Sequence, residues 1–224
     1  MVDLQIRELA PGVHVADAPQ RFLGLELGTR MTVLDTGDGL LVHSPIAVEP
    51  ASLRDLGQVR WVLAPNLYHH LYLGHWIDVD CQIWGVRGLP EKRPDIRFTG
   101  VVDSREPRFG PDIDLYPLRC FEMTNEVVVL HRPSRTLVVT DLVMNFSSRA
   151  PWRTRAALWT LGGYPGCRTT ILERRGMNRG VACKEIGEIV QWDFDRLTMA
   201  HGEVVETGGK DRFLQAFQWL LPAR

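Results

Sequence analysis

The sequence predicts an α+β fold in which most β-strands lie before residue 150 and the longer helices lie after it. Residues 13–16, 30–34 and 40–43 are short runs with the alternation of half-buried strands, and turn signals separate them. From residue 150 onward, apolar residues recur at helical spacing instead. Strands and helices that are segregated along the chain in this way are typical of the α+β class.

The remaining segments are assigned by the same criteria. Further strands are predicted at 61–64, 82–86, near 100–102, at 114–118 and at 196–200, and the clearest hairpin pairs 126–131 with 136–141. Helices are predicted at 49–56, 151–161, 177–192 and 210–221, with a brief turn or helix at 88–92.

Composition favours one globular domain over residues 1–224, since 45% of the residues are hydrophobic and 24% are charged. A net charge of -1 does not indicate a basic surface of the kind that binds nucleic acid or an acidic membrane. The N-terminal segment carries Asp3, Arg7 and Glu8 and no apolar run of signal-peptide length, and no later segment approaches the ~20 apolar residues of a membrane span. We therefore predict a soluble, cytoplasmic protein without nucleic-acid or membrane partners.

The stretch 61–76 contains the densest group of histidines. Pro65 ends a short apolar strand, and His69, His70 and His75 follow within ten residues of it. Sites are commonly built from loops at strand ends, where a sheet fixes side chains that a ligand can still reach. A histidine pair in a loop is nevertheless more often a hydrogen-bonded surface feature. The cluster alone leaves both interpretations open.

The predicted hairpin separates two groups of polar residues. Its turn lies at 132–135, so Asp141 pairs roughly with Glu126, at the far end of the hairpin from His131. His131 and Asp141 therefore cannot share a compact site. His131 should also lie at the opposite end of the sheet from His201.

Two surface features have competing interpretations. Arg132 and Arg135 in the hairpin turn would suit an anion clamp, but a solvated tip or structural salt bridges are commoner uses of such a turn. Trp152 and Trp159, with arginines between them, would suit a membrane or a partner subunit. Core packing with the arginines pointing outward is the favoured interpretation.

The order of elements and the positions of the polar residues resemble the metallo-β-lactamase fold. More closely, several segments are similar to its DUF4336 branch: Arg21-Phe22-Leu23-Gly24, Ala64-Pro65-Asn66 with His69-His70, His131-Arg132-Pro133-Ser134-Arg135-Thr136, Thr140-Asp141-Leu142, Asn145-Phe146 and His201-Gly202-Glu203. The resemblance covers nearly the whole chain. It implies a four-layer αββα sandwich with a groove along one edge of the two sheets.

The same resemblance implies that this chain lacks the histidines that form the first metal site of the family. When the family's loop T-H-x-H-x-D-H-x-G-G is laid without gaps so that its last glycine meets Gly74, its three histidines fall on Asn66, Tyr68 and Leu71. Leucine cannot ligate, tyrosine is an uncommon ligand, and asparagine offers a weak neutral oxygen. We expect Asn66 and Tyr68 to line the groove and two-metal hydrolysis of β-lactams or thioesters to be absent or very slow.

The second site of the family is retained in the same register, on His70, Asp141 and His201. Two imidazoles and one carboxylate can hold a single zinc or iron ion, with His69 and His75 as reserve ligands or orienting partners. A metal-free relic, in which the three residues only hydrogen-bond one another, is an equally open interpretation.

Three functional hypotheses follow from the resemblance. The first is a metal-dependent, hydrolase-like enzyme with a degenerate mononuclear site and an unknown small-molecule substrate. The second is a non-catalytic relic that binds a small ligand or a protein partner through the groove. The third is a mononuclear iron oxidoreductase, since the same donors suit iron. Metal content separates them, and the sequence predicts no oligomeric state.

Overall fold

A computed structural model describes residues 5–221, so Asp3 lies outside the described residues. The strands are β1 (Ile6–Ala10), β2 (Val13–Ala18), β3 (Arg21–Phe22), β4 (Leu25–Glu26), β5 (Thr29–Asp35), β6 (Leu40–His43), β7 (Val59–Leu63), β8 (Gln82–Gly85), β9 (Gly100–Val101), β10 (Ile113–Pro117), β11 (Val127–His131), β12 (Thr136–Val138), β13 (Met144–Phe146), β14 (Gly166–Arg168) and β15 (Arg196–Thr198). The helices are α1 (Leu89–Lys92), α2 (Trp152–Thr160), α3 (Ile171–Gly176), α4 (Arg179–Ile189) and α5 (Gly209–Ala216), with 3-10 helices at Pro50–Leu53 and Leu73–Trp76.

The first sheet has seven strands in the order β1-β2-β5-β6-β7-β8-β9. Its first four strands form an antiparallel meander, in which β2, β5 and β6 were predicted and β1 was not, and β6 to β9 run parallel. A parallel pair requires a crossover connection, and the segment with the first 3-10 helix supplies it between β6 and β7. The carboxyl ends of β6 and β7 therefore meet at one edge of the sheet, beside the amino end of antiparallel β5.

The second sheet, in the order β10-β11-β12-β15, lies between the first sheet and a layer of helices. Successive residues of a strand point to opposite faces. Val127 and Val129 of β11 pack in the core that the first sheet provides, whereas Val128 and Leu130 pack with side chains of α4 and α5. The outer helices on the other side, including Leu89 of α1, pack in the first core. The order of layers is the predicted αββα arrangement.

The strand register confirms the predicted separation of His131 from the other polar residues. His131 pairs with Thr136 across the hairpin, and Thr136 pairs with Arg196 at the beginning of parallel β15. His201 follows the opposite end of β15. The His131 ring is instead held by Ser134, whose Oγ lies 2.7 Å from Nδ1.

The hairpin turn is used for structural salt bridges. Arg132 Nη1 lies 2.9 Å from Asp114 Oδ1, and Arg135 Nη2 lies 2.7 Å from Asp193 Oδ1. Both arginines thus pair with carboxylates of the chain itself, which is the commoner of the two predicted uses.

The prediction that Trp152 and Trp159 pack in the core is wrong. Helix α2 turns Thr154 and Leu158 inward, an i, i+4 pair on one face. The two tryptophans lie seven residues apart on another face and are 67% and 69% exposed. No helix within residues 5–221 has the length and apolarity that crossing a membrane would require.

Several short elements were not predicted. Helix α3 has six residues and depends on a capping box between Thr170 and Glu173 rather than on an apolar stripe. The pairs β3–β4 and β13–β14 have strands of two or three residues, too short for a period to show. The predicted helix at 177–192 is α4, which begins at Arg179 after Asn178 caps it.

Candidate metal centre

Three side chains converge where β7, β12 and β15 end. His69 Nε2 lies 3.4 Å from Asp141 Oδ1, and His201 Nε2 lies 3.1 Å from the same oxygen. The ligand atoms of all three residues lie within 4.8 Å of one another. All three side chains are largely shielded from solvent, with exposures of 7%, 14% and 8% in chain order.

A second hydrogen bond orients each imidazole. His69 Nδ1 lies 2.8 Å from the hydroxyl of Ser44, and His201 Nδ1 donates to the carbonyl of Gly28 at 2.7 Å. Both rings therefore direct Nε2 toward Asp141. Ligating histidines are typically fixed in this way, through the ring nitrogen that does not bind the metal.

Ser44 is held in a backbone conformation that a serine rarely adopts. It follows β6 with φ = +57°, in the left-handed region. Such a conformation costs about 1–3 kcal/mol and persists where the surroundings enforce it. Ser44 is buried, and its backbone N–H donates to Leu63 O at 3.0 Å, which ties it to the end of β7.

The His201 loop is fixed by backbone contacts on both sides. Arg30 donates to the carbonyls of Met199 and Gly202, each at 2.8 Å. Gly202 has φ = +89°, and a Cβ there would collide with the carbonyl of Asn145. This close approach explains why glycine follows the histidine.

Asn66 fixes both Asp141 and the histidine loop. Its Nδ2 donates to Asp141 Oδ2 at 2.7 Å, while its Oδ1 accepts from the backbone N–H groups of Tyr68 and His69 at 2.9 and 2.8 Å. Asn66 is fully buried. Its amide is therefore committed to structural hydrogen bonds, and Asp141 keeps Oδ1 facing the imidazoles.

A second buried carboxylate holds the backbone around Asp141. Glu126 accepts hydrogen bonds from the N–H groups of Thr140, Asp141 and Leu142 at 2.6, 2.8 and 3.0 Å. Burial, together with the charge of Asp141, raises the pKa of Glu126 to about 8 against the effect of these three donors. The hydrogen bonds to Glu126 thus fix the backbone of the loop that carries Asp141.

The charges within the trio stabilise one another. Burial by itself would raise the pKa of Asp141, but the two imidazoles hold that pKa well below its usual range. Burial by itself would lower the pKa of His201, but the hydrogen bond and charge of Asp141 raise it. Since Nδ1 of His201 donates to a carbonyl, its second proton lies on Nε2, facing Asp141.

The structure places His69, and not His70, beside Asp141 and His201. The ungapped register predicted His70 as the ligand and His69 as its reserve. His70 instead contacts Arg93, with Nδ1 3.0 Å from Nη1, and burial and the nearby cations lower the pKa of His70 to about 4. His69 takes the position predicted for His70 because of the turn at Asn66. The side chain of Asn66 accepts a hydrogen bond from the His69 N–H, which turns His69 toward the site.

Of the two residues predicted to line the groove, Tyr68 lines the pocket above the trio and is 47% exposed. Asn66 does not line it, because its side chain is fully buried and is held by Asp141 and the histidine loop. His75 is exposed in the second 3-10 helix and lies beside Tyr72, with ring centroids 6.4 Å apart and the two rings tilted by 40°. His75 lies outside the trio.

The donor set fits a single metal ion. Two neutral nitrogen donors and one carboxylate oxygen are ligands that zinc and ferrous iron accept, and each imidazole has its second hydrogen bond in place. Among residues 5–221 this is the one group of three such side chains whose ligand atoms converge.

Sequence reasoning missed the residues that support the trio. Ser44 and Gly28 contact histidines that lie 25 and 173 residues away in sequence. Glu126 was paired with Asp141 in the predicted hairpin but was given no role. That pairing was the one signal that pointed to it.

Comparison with solved structures identifies the fold. The chain is similar to a metallo-β-lactamase from Hirschia baltica, with a TM-score of 0.69, 10% identity and 99% of each chain covered. It is also similar to FIM-1 from Pseudomonas aeruginosa in its mono-zinc form (TM-score 0.69, 9% identity, 97% of this chain and 94% of that one) and to the metallo-β-lactamase IND-7 (TM-score 0.66, 17% identity, 96% and 98%). No protein-family model matches the sequence, nor does any curated protein.

The chain therefore has the metallo-β-lactamase fold, as the order of its elements predicted. At 9–17% identity, the likeness shows the fold alone.

Proposed function

We propose that this chain is a hydrolase-like enzyme with a degenerate, mononuclear metal site formed by His69, Asp141 and His201. The observation that carries the proposal is the convergence of three ligand atoms within 4.8 Å, with both imidazoles oriented by a second hydrogen bond. We further propose membership of the DUF4336-like branch, on the sequence segments that resemble it. The partner we propose is a small molecule, with no role for nucleic acid or a membrane.

The residues of the chain have separate tasks in this proposal. Bound zinc or iron would supply Lewis acidity, polarising a substrate carbonyl and lowering the pKa of a bound water. Ser44 and Gly28 hold the imidazoles in the ligating orientation. Asn66 occupies Asp141 Oδ2, so that Oδ1 faces the imidazoles.

A single metal is proposed because, among residues 5–221, the ligand atoms of three such side chains converge in one group only. Asn66, which lies next to Asp141, is committed to three hydrogen bonds and so offers no further ligand atom. Without paired metals, two-metal hydrolysis of β-lactams or thioesters should be absent or very slow.

Two alternatives rest on specific observations. Asp141 already accepts a hydrogen bond from Asn66 and lies 3.4 and 3.1 Å from Nε2 of His69 and His201, which would suit a metal-free relic that binds a ligand in the groove. The two-histidine, one-carboxylate donor set would equally suit a mononuclear iron oxidoreductase.

Elemental analysis separates these three functions. Protein purified without a chelator or a metal-binding tag should contain about one zinc ion per chain, the usual metal of hydrolytic sites with three protein ligands. Iron at the same stoichiometry would instead support the oxidoreductase. Absence of both metals from the purified protein, with no uptake on dialysis against either, would favour the relic.

Loss of the Ser44 hydroxyl should weaken metal binding. Ser44→Ala removes the partner of His69 Nδ1, and loss of such an orienting partner typically lowers metal affinity about 10- to 100-fold. Zinc affinity measured by competition with a chromophoric chelator would detect this change.

Ser134→Ala is the matched control for this experiment. It breaks the same kind of hydroxyl–imidazole contact, with His131, at the other end of the sheet. Equal zinc affinities of the two variants would contradict the role assigned to Ser44.

A further inference from the structure

A pocket of about 260 Å³ opens directly above the trio, and its walls are mostly apolar. Beside His69, Asp141 and His201, it is lined by six large apolar side chains: Phe22, Leu27, Phe121, Met123, Met144 and Leu172. Three of these six, Phe22, Met123 and Leu172, are more than half exposed. Exposed apolar residues grouped at the mouth of a pocket are typical of a ligand-binding surface.

The charges of the pocket are as informative as its apolar walls. Its charged lining residues, within the part of the chain that the structure describes, are the carboxylates Asp141 and Glu173, and none is a lysine or arginine. Arg30, which supports the His201 loop, is engaged by two carbonyls and by Asp17 at 2.7 Å. A carboxylate or phosphate on the part of a ligand that lies against the apolar walls, away from a metal at the trio, would therefore have no cationic side chain as its partner. Burying an unpaired charge is costly.

We propose that this pocket binds the uncharged, apolar acyl or aryl part of an ester or amide and rejects substrates that carry an anionic group on that part. This inference rests on the proposed hydrolase function for the reaction but not for the binding. In the reaction, the bond between the acyl carbon and the leaving oxygen or nitrogen breaks. Water supplies the hydroxyl to the acyl carbon and a proton to the leaving group.

The size and composition of the walls limit the group that fits. A volume of 260 Å³ lies just below the ~300–1,000 Å³ typical of pockets for drug-sized ligands, so the bound part is small. Met123 and Met144 are unbranched and flexible, which lets the pocket adapt to different apolar shapes. We therefore expect selectivity by charge rather than by exact shape.

A pair of esters tests the inference. 4-Nitrophenyl butyrate and 4-nitrophenyl hydrogen succinate have chains of similar length, but the second ends in a carboxylate. With the zinc-loaded protein, kcat/KM for the butyrate, divided by its rate with hydroxide, should exceed that for the succinate on the order of tenfold or more. Equal or inverted values would overturn the proposal.

Single lysine substitutions test whether the pocket is the source of this selectivity. Met123→Lys and Leu172→Lys place a cation at the mouth, on side chains that are 60% and 59% exposed. Both should reduce the preference for the butyrate. Trp159→Lys makes the same substitution at a 69% exposed side chain outside the pocket and should not change it. Loss of the preference in all three variants, or in none, would contradict the assignment.

A binding measurement separates this inference from the proposed function. N-Phenylbutanamide and N-phenylsuccinamic acid form the corresponding uncharged and anionic amide pair, and calorimetry would measure their binding with and without zinc. Preferential binding of the butanamide without turnover of either ester would support the pocket and refute the hydrolase. In the zinc-free protein, failure of the butanamide to bind, or tighter binding of the acid, would refute the pocket.

Discussion

Zinc at about 100 times its dissociation constant should raise the free energy of unfolding of the wild-type chain by about 2.7 kcal/mol. A metal that binds only the folded chain shifts the unfolding equilibrium by mass action. Here the ligand atoms come from the ends of three strands that are far apart in sequence, so the unfolded chain offers no comparable site. For a chain of 224 residues, this gain corresponds to a rise in Tm of roughly 5–10 °C.

Four histidine variants locate the source of this stabilisation. His201→Ala and His69→Ala should abolish the response to zinc, because each removes one of the three ligands. His75→Ala removes an exposed imidazole outside the trio and should respond as the wild type does. His70→Ala should also keep the response, although loss of its contact with Arg93 lowers the starting Tm. A response that survives in His69→Ala but not in His70→Ala would restore the ungapped register and refute the centre described above.

The same titration should depend on pH. The charge of Asp141 raises the pKa of His201, and below that raised pKa the ring carries a proton on Nε2. Zinc must displace this proton, so its apparent affinity should fall as the pH falls. Calorimetry in buffers of different ionisation enthalpy would measure the proton released. Zinc binding without proton release at a pH below the His201 pKa would contradict the protonation state assigned here.

The order of elements was predictable because each strand has its own local alternation. The hairpin register also placed Asp141 correctly near a strand end and away from His131, and the predicted strand at 196–200 placed His201 just after its end. The choice between His69 and His70 was not predictable, because neighbouring loop residues differ only in the direction that Asn66 gives them. The exposed tryptophans of α2 were missed for a related reason. The helical spacing of apolar residues in α2 does not show which face of the helix packs against the core.

Glu126→Ala should destabilise the fold by at least about 3 kcal/mol, since it leaves the buried N–H groups of Thr140, Asp141 and Leu142 without acceptors, at about 1–3 kcal/mol each. It should also weaken zinc binding, because these N–H groups belong to the loop that carries Asp141. Glu126→Gln keeps one acceptor oxygen and the shape of the side chain. It should therefore lose less in both measurements.

Glu185→Ala is the matched control, because stability alone would not distinguish a positioning residue from any buried carboxylate. Glu185 is 6% exposed and accepts from the N–H groups of Arg119 and Cys120, each at 3.0 Å, on a loop outside the trio. Urea unfolding should show a loss of stability in both alanine variants. Zinc titration of the folded proteins should show weaker binding in Glu126→Ala alone, since only Glu126 supports the backbone of a ligand. If the two variants bind zinc with equal affinity, Glu126 stabilises the fold without positioning Asp141.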